Sequence, residues 1–263
     1  MPEPVPEAAE AIRDAIEVFV RGYCFGRSLT YPHVASQVEG LWWLRDAERS
    51  NPTDYRKEEW IAYGATAEAT DRIAKQHTRG RYFVCAASNE LERDGKLCDQ
   101  YKRLGYRLLV TEPMFVHALK RIPRAGAPKL SVAGDHSTVR VCQVDSRELA
   151  ERFATASKSR AMSDAQLTQA APFRQYVATL GEAILGWVRS VRVGSCAWVA
   201  NMHVNEQHRR CGIGSSLLER LLRDDRKHGV QQSVLLATHA GAQLYPKLGY
   251  KQIGMMHIFA PRR

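Results

Sequence analysis

Residues 202–215 read Met202-His203-Val204-Asn205-Glu206-Gln207-His208-Arg209-Arg210-Cys211-Gly212-Ile213-Gly214-Ser215. This stretch decides the fold. Before it lie three strand-like runs, 175–180, 183–193 and 196–204, with Gly181 and Gly194 between them as turn residues. That pattern predicts an antiparallel meander. After it, Ile213, Leu217, Leu218, Leu221 and Leu222 recur on one helical face, and Gly229 suits the position just past the helix end. Two glycines spaced by one residue let the backbone approach a bound group closely. The first N–H groups of the following helix have no internal partner and lie at the positive end of its dipole, so a phosphate fits there. Arg209 and Arg210 add positive charge. A dinucleotide fingerprint is excluded, because its third glycine would fall on Leu217. A P-loop is excluded as well, because no lysine follows either glycine.

Working outward, residues 234–238 predict a short buried strand, 240–248 a short helix and 250–259 a final strand. Upstream, 138–144 predicts a strand and 146–156 a helix capped by Ser146, with Leu149 and Phe153 on one face. Residues 162–171 predict a second short helix. The second half thus reads β-α-α-β-β-β-α-β-α-β, an α+β fold with a mixed, mostly antiparallel sheet flanked by helices.

The loop resembles the acyl-coenzyme A loop of the GNAT acetyltransferase superfamily, whose pattern Gln/Arg-x-x-Gly-x-Gly/Ala is matched by Arg209, Gly212 and Gly214. The stretch Ala242-Gln243-Leu244-Tyr245-Pro246-Lys247-Leu248-Gly249-Tyr250 resembles that family's second signature, and the element order agrees. The resemblance implies an acetyl-CoA-dependent N-acetyltransferase with no metal. Backbone N–H groups of Arg210, Cys211, Gly212, Ile213, Gly214 and Ser215 would hold the pyrophosphate, with Arg209 beside them. The main chain of Met202, His203 and Val204 would pair with the pantetheine arm, and an N–H there would polarise the thioester carbonyl. Tyr245 would protonate the departing thiolate and also touch the coenzyme. The family's usual asparagine is Thr238 here, and Pro246 directly after Tyr245 threatens the helix. A general base is not evident. The run 195–204 holds no carboxylate, which leaves His203 (taken as the candidate), His239 and Glu182; Glu206 lies in the loop and is not made the base.

The string Tyr101-Lys102-Arg103-Leu104-Gly105-Tyr106 echoes Tyr245-Pro246-Lys247-Leu248-Gly249-Tyr250 at an offset of 144. The first half therefore reads as a degenerate GNAT-like copy. Its counterpart loop, Trp60 to Glu68, has no Gly-x-Gly and places Glu68 where positive charge is wanted, so coenzyme binding there is not expected. Within this half, residues 9–20 predict a helix, 107–117 a strand that Pro113 forces to an edge or a bulge, and Trp42 and Trp43 one core and one interface residue. The organisation expected is residues 1–120, a linker at 121–136 and a catalytic domain at 137–263, as a monomer with pseudo-dimeric halves or a homodimer.

The 263 residues carry a net charge of +10, which calls for an anionic partner. Residues 1–130 hold 20 Lys/Arg against 18 Asp/Glu, whereas 131–263 hold 18 against 10, so the excess lies beside the loop. Six scattered cysteines argue against a disulfide framework or zinc site, and the acidic N-terminus and lack of a long apolar run predict a cytoplasmic protein without a membrane span. Two other function classes compete with the enzyme: a non-catalytic acyl-CoA sensor, and a nucleic-acid binder, the latter not expected for want of a recognisable motif. The amine acceptor is not encoded in any motif.

Overall fold

The computed structural model describes residues 6–128, 130, 138–168 and 170–262. In chain order the elements are α1 (Pro6–Ser28), β1 (His33–Val38), β2 (Leu41–Asp46), β3 (Glu58–Ala62), α2 (Ala67–His77), β4 (Tyr82–Ser88), α3 (Gly95–Arg103), β5 (Tyr106–His117), β6 (Arg140–Gln143), α4 (Arg147–Ser157), β7 (Phe173–Leu180), β8 (Ala183–Val193), β9 (Cys196–Val204), α5 (Ile213–Lys227), β10 (Gln232–Leu236), α6 (His239–Ala242) and β11 (Lys251–Pro261). Packing divides the chain into two compact units. The first is 1–116 with 234–243 and 251–263, and the second is 117–233 with 244–250. Part of the expected linker, residue 129 and 131–136, lies outside the described residues.

In the first unit the strand order is β1-β2-β3-β4-β11-β5-β10. β1 and β2 form a hairpin that turns at Glu39 and Gly40, both at positive φ (47° and 82°), the geometry that suits the twist of a two-residue connection. β3 and β4 run parallel, paired from Glu58↔Tyr82 to Ala62↔Ala86. Trp60, Tyr101, Tyr106 and Phe259 fill the core with Leu41, Ile73 and Val84. Trp42 and Trp43 depart from expectation: both are half-buried, and the Arg45 guanidinium covers the Trp43 ring at 3.8 Å. Pro113 does not fall on an edge strand: it is in register with Met255, with an irregularity close by. β5 lies between β11 and β10, and the irregularity is carried by β11 between Gln252 and Gly254, opposite Phe115 and Met114.

In the second unit the order is β9-β8-β7-β6, each pair antiparallel, so the expected meander is present. Leu217, Leu218, Leu221 and Leu222 of α5 are fully buried, as their spacing requires. The helix is also tethered by charge. Asp225 accepts from Arg174 of β7 and, at 2.8 and 2.9 Å, from the Ser190 hydroxyl of β8. Ser146 caps α4, accepting from the Leu149 N–H at 3.3 Å, and Phe153 packs with Val144, Ala150, Val177 and Ile184.

Two expected helices are corrected. The run 162–171 forms only a 3-10 turn, Asp164–Gln166, closed by Ser163 and Gln166. Among its described side chains only Met162 and Leu167 join the neighbouring apolar cluster, and two such residues do not make a continuous apolar face to hold a helix. The run 240–248 splits into α6 and a 3-10 turn, Tyr245–Leu248. Pro246 has no N–H to continue the α-helical ladder.

The internal echo has a structural counterpart. In each copy the helical turn ends on a left-handed glycine, Gly105 at φ 85° and Gly249 at φ 91°, followed by a tyrosine and a strand. In each the two tyrosines meet edge to face. Tyr101 and Tyr106 lie 5.5 Å apart at 84°, and Tyr245 and Tyr250 lie 5.6 Å apart at 74°. Each second tyrosine hydrogen-bonds the start of the preceding strand, Tyr106 to the Tyr82 hydroxyl at 2.8 Å and Tyr250 to Ser233 Oγ at 2.7 Å.

Candidate functional site

The loop between β9 and α5 passes through a 3-10 turn, Glu206–His208, and then takes two left-handed residues, Arg210 (φ 63°) and Gly212 (φ 88°). Gly212 is the N-cap of α5 and supplies no capping side chain, and the first turn carries no acid. The first helical bond runs from the Ser216 N–H to the Gly212 carbonyl at 3.1 Å. The N–H groups of Ile213, Gly214 and Ser215 therefore precede the helical ladder, at the positive end of a 15-residue helix. A side chain at Gly214 would press to 3.2 Å from Leu244 Cδ2, so this glycine serves close packing of the helix start.

Arg210, Cys211, Gly212 and Ser215 line a cavity of about 370 Å³ together with Arg124, Gly126, Ala127 and Lys247. Its three cations, Arg124, Arg210 and Lys247, face no lining carboxylate. This is an electropositive cleft built on a helix N-terminus, and its chemistry suits phosphate. Segment 124–127 is held in place by the Ala125 N–H, which donates to Glu219 of α5 at 2.7 Å. Ile213 is 1% exposed and anchors the loop from beneath. Arg209 is not in the cavity lining. Its Nε donates to the Val204 carbonyl at 3.1 Å and its guanidinium lies 3.4 Å from Glu206, so it ties the loop to the end of β9. Lys247 and Arg124 were missed by sequence reasoning. Lys247 lay inside the quoted signature, and Arg124 lay in a stretch read only as a linker.

Met202, His203 and Val204 occupy the end of β9, where the pairing with β8 is irregular. Trp187 faces His203 but Arg189 faces Ala200, so β9 carries one extra residue. Asn201 adopts φ 54°, a left-handed conformation that asparagine tolerates better than most side chains. Such a bulge turns the main chain at Met202 out of the ladder. Gly186 of β8 permits it, since a Cβ there would lie 2.7 Å from the His203 carbonyl oxygen. Neither Asn201 nor Gly186 was singled out from sequence. The His203 ring stacks on Trp187, with centroids 4.3 Å apart at 23°.

Tyr245 is 5% exposed, and burial pushes its phenol up to about 12. It shares its 3-10 turn with the cavity residues Lys247 and Leu248. Of the other candidate bases, Glu182 lies in the β7–β8 turn, 3.1 Å from Arg152, and His239 belongs to the first unit, where its Nε2 bonds Thr111 Oγ1 at 2.7 Å.

The corresponding place in the first unit is closed. α2 is capped by its own Thr66, whose hydroxyl accepts from the Ala69 N–H at 3.1 Å, and Glu68 lies in its first turn. β3 is paired with β4 over its whole length, to Ala62↔Ala86, and just beyond it Tyr63 donates to Asn89 at 2.6 Å. Thr66→Ala is expected to cost about 1 kcal/mol, the ordinary value of an N-cap, read by urea unfolding, and to leave coenzyme stoichiometry unchanged.

Residues 172–252 match the family model described as Acetyltransferase (GNAT) domain. Among solved structures the chain is similar to a GCN5-related N-acetyltransferase from Kribbella flavida, with a TM-score of 0.63, 15% identity, and coverage of 97% of this chain and 96% of that one. It is also similar to a GCN5-related N-acetyltransferase from Sphaerobacter thermophilus (TM-score 0.53, 16% identity, 97% and 93% covered). A tandem GNAT protein from the clavulanic acid biosynthesis pathway aligns at TM-score 0.51 and 14% identity, covering 88% and 85%. No curated protein sequence matches. No helix among the described residues is long and apolar enough to cross a membrane. Residues 172–252 thus carry the GNAT acetyltransferase domain signature, and the fold of the chain is similar to that of GCN5-related N-acetyltransferases, a tandem GNAT protein among them.

Proposed function

We propose that the protein transfers an acetyl group from acetyl-CoA to a primary amine, using the second half alone. The observation that carries this reading is the uncapped N-terminus of α5 opening into a carboxylate-free cavity with Arg124, Arg210 and Lys247. The pyrophosphate would be held by the first N–H groups of α5, from Gly212 to Ser215, and these cations. The main chain from Met202 to Val204, redirected by the bulge that precedes it, would pair with the pantetheine arm and present an N–H to the thioester oxygen. That donor stabilises the oxyanion formed when the amine attacks the carbonyl carbon. The tetrahedral intermediate then collapses with loss of the CoA thiolate. Tyr245 would give that thiolate its proton. A phenol pushed up to about 12 keeps its proton at neutral pH, as an acid must. His203, stacked on Trp187, is the candidate to receive the amine's proton.

The same proposal includes a division by ancestry into a degenerate GNAT-like half at 1–120, a linker at 121–136 and a catalytic half at 137–263. The lack of a carboxylate on β9 favours a second reading, a sensor that binds acyl-CoA without turnover.

Release of free CoA thiol over a panel of amines separates the two, since a sensor releases none. In the enzyme, Tyr245→Phe is expected to lower kcat about 10²-fold, the usual worth of a positioned acid, with the Kd for acetyl-CoA unchanged. Full activity in that variant would remove Tyr245 as the acid.

A further inference from the structure

One cavity in the first unit has no part in the chemistry above. It encloses about 770 Å³ and is lined by Lys57, Arg81, Phe83, Arg107 and Arg262 with their neighbours. These cations come from four separate places: the entry to β3, the entry to β4, the first turn-out of β5 and the end of β11. The sheet order brings β4, β11 and β5 side by side, and the antiparallel course of β11 returns the chain's last residues to the start of the other two. The cavity therefore opens at the end of the sheet where β3 and β4 begin. The closed counterpart of the coenzyme loop, with Tyr63 and Asn89, lies where those strands finish.

Four positive groups line this space and no carboxylate does. Among the described residues none of the four has a carboxylate partner within ion-pair distance. Elsewhere in the same unit cations are paired, as Arg49 and Arg56 are with Asp46, or Arg72 with Glu39. Like charges gathered without partners repel one another, and an anion relieves that repulsion. Lys57 is placed over the Phe83 ring, Nζ 4.4 Å from its centroid, which fixes the ammonium at the cavity wall. Three guanidiniums offer forked donors suited to phosphate oxygens. The volume falls within the range of small-molecule sites.

We propose that this cavity binds a small, multiply charged phosphate compound, with two or more phosphate groups spread over Lys57, Arg81, Arg107 and Arg262. The near-neutral charge of the first half conceals this cluster, because its 18 acids lie in the same stretch of sequence as its 20 cations.

The test is calorimetric titration of the full chain with inorganic tripolyphosphate. Two double variants locate the binding: Arg81→Gln/Arg107→Gln in this cavity, and Arg210→Gln/Lys247→Gln at the α5 loop. Arg81 and Arg107 are exposed and have no carboxylate partner among the described residues, so melting temperature should be unchanged in the first variant. If it falls, Lys57→Gln/Arg262→Gln takes its place. The expected result is a one-to-one binding event weakened at least about tenfold by the first variant, since two charge-assisted contacts are lost, and retained by the second. The inference is overturned if no binding event depends on Arg81 and Arg107, or if every event is lost with Arg210 and Lys247. It is also overturned if a 30-nucleotide single-stranded DNA binds through Arg81 and Arg107 while tripolyphosphate does not, which would make this a nucleic-acid surface. Because Lys57, Arg81, Arg107 and Arg262 lie outside the cleft assigned to the coenzyme, failure here leaves the acetyltransferase reading standing.

Discussion

Gly212→Val is expected to weaken acetyl-CoA binding about 10³-fold while the protein stays folded. Gly212 holds φ 88°, where a β-branched side chain is strongly disfavoured. The substituted loop relaxes away from the left-handed turn, and the N–H groups at the start of α5 no longer converge on the cavity. Losing two charge-assisted backbone hydrogen bonds to a phosphate costs about 4 kcal/mol, or about three powers of ten. The fold survives because the strain is confined to the loop, while the buried leucines of α5 are untouched. Gly212→Ala strains the backbone less and should fall between wild type and valine. Isothermal titration gives the affinities, and far-ultraviolet circular dichroism checks the fold.

Arg174→Met is expected to destabilise the protein by about 3–5 kcal/mol, the cost of leaving one partner of a buried ion pair alone. Asp225 is fully buried, and burial already pushes its carboxyl above the usual carboxylate range. With Arg174 gone, only the Ser190 hydroxyl remains to face it. The pH dependence has a definite sign. A carboxyl whose pKa is raised by folding favours the folded state in acid and opposes it as pH rises through the folded value. The deficit of the variant is therefore largest at neutral pH and shrinks as pH falls toward the ordinary aspartate pKa of about 3.9. Urea unfolding of both proteins across that range measures it. Because Asp225 tethers α5 to β7 and β8, acetyl-CoA affinity should fall along with stability.

Local chemistry made much of this legible in the sequence. The α5 stripe, the Ser146 cap, the glycine turns of the meander and the echo at Gly105 and Gly249 depend on residues a few positions apart, and all are present in the structure. Long-range choices were not legible. Nothing in residues 251–261 says that β11 pairs with β4 and β5, because its alternation suits any sheet that needs a strand. The helix expected at 162–171 failed for the related reason that helical propensity without an apolar face is not enough. At the site, the Gly-x-Gly pattern located the loop, yet only folding reveals that Arg209 turns back to Val204 while Arg124 and Lys247 take the cavity. Asn201 and Gly186 were invisible because a bulge is a property of two strands in register, and the sequence of one does not declare it.

The central claim is that one half of the chain binds the coenzyme and the other is closed to it. Isothermal titration of the full chain with acetyl-CoA tests this directly through stoichiometry. The account predicts a single site that is lost in Gly212→Val. Two equivalents of acetyl-CoA per chain, or none, would contradict it.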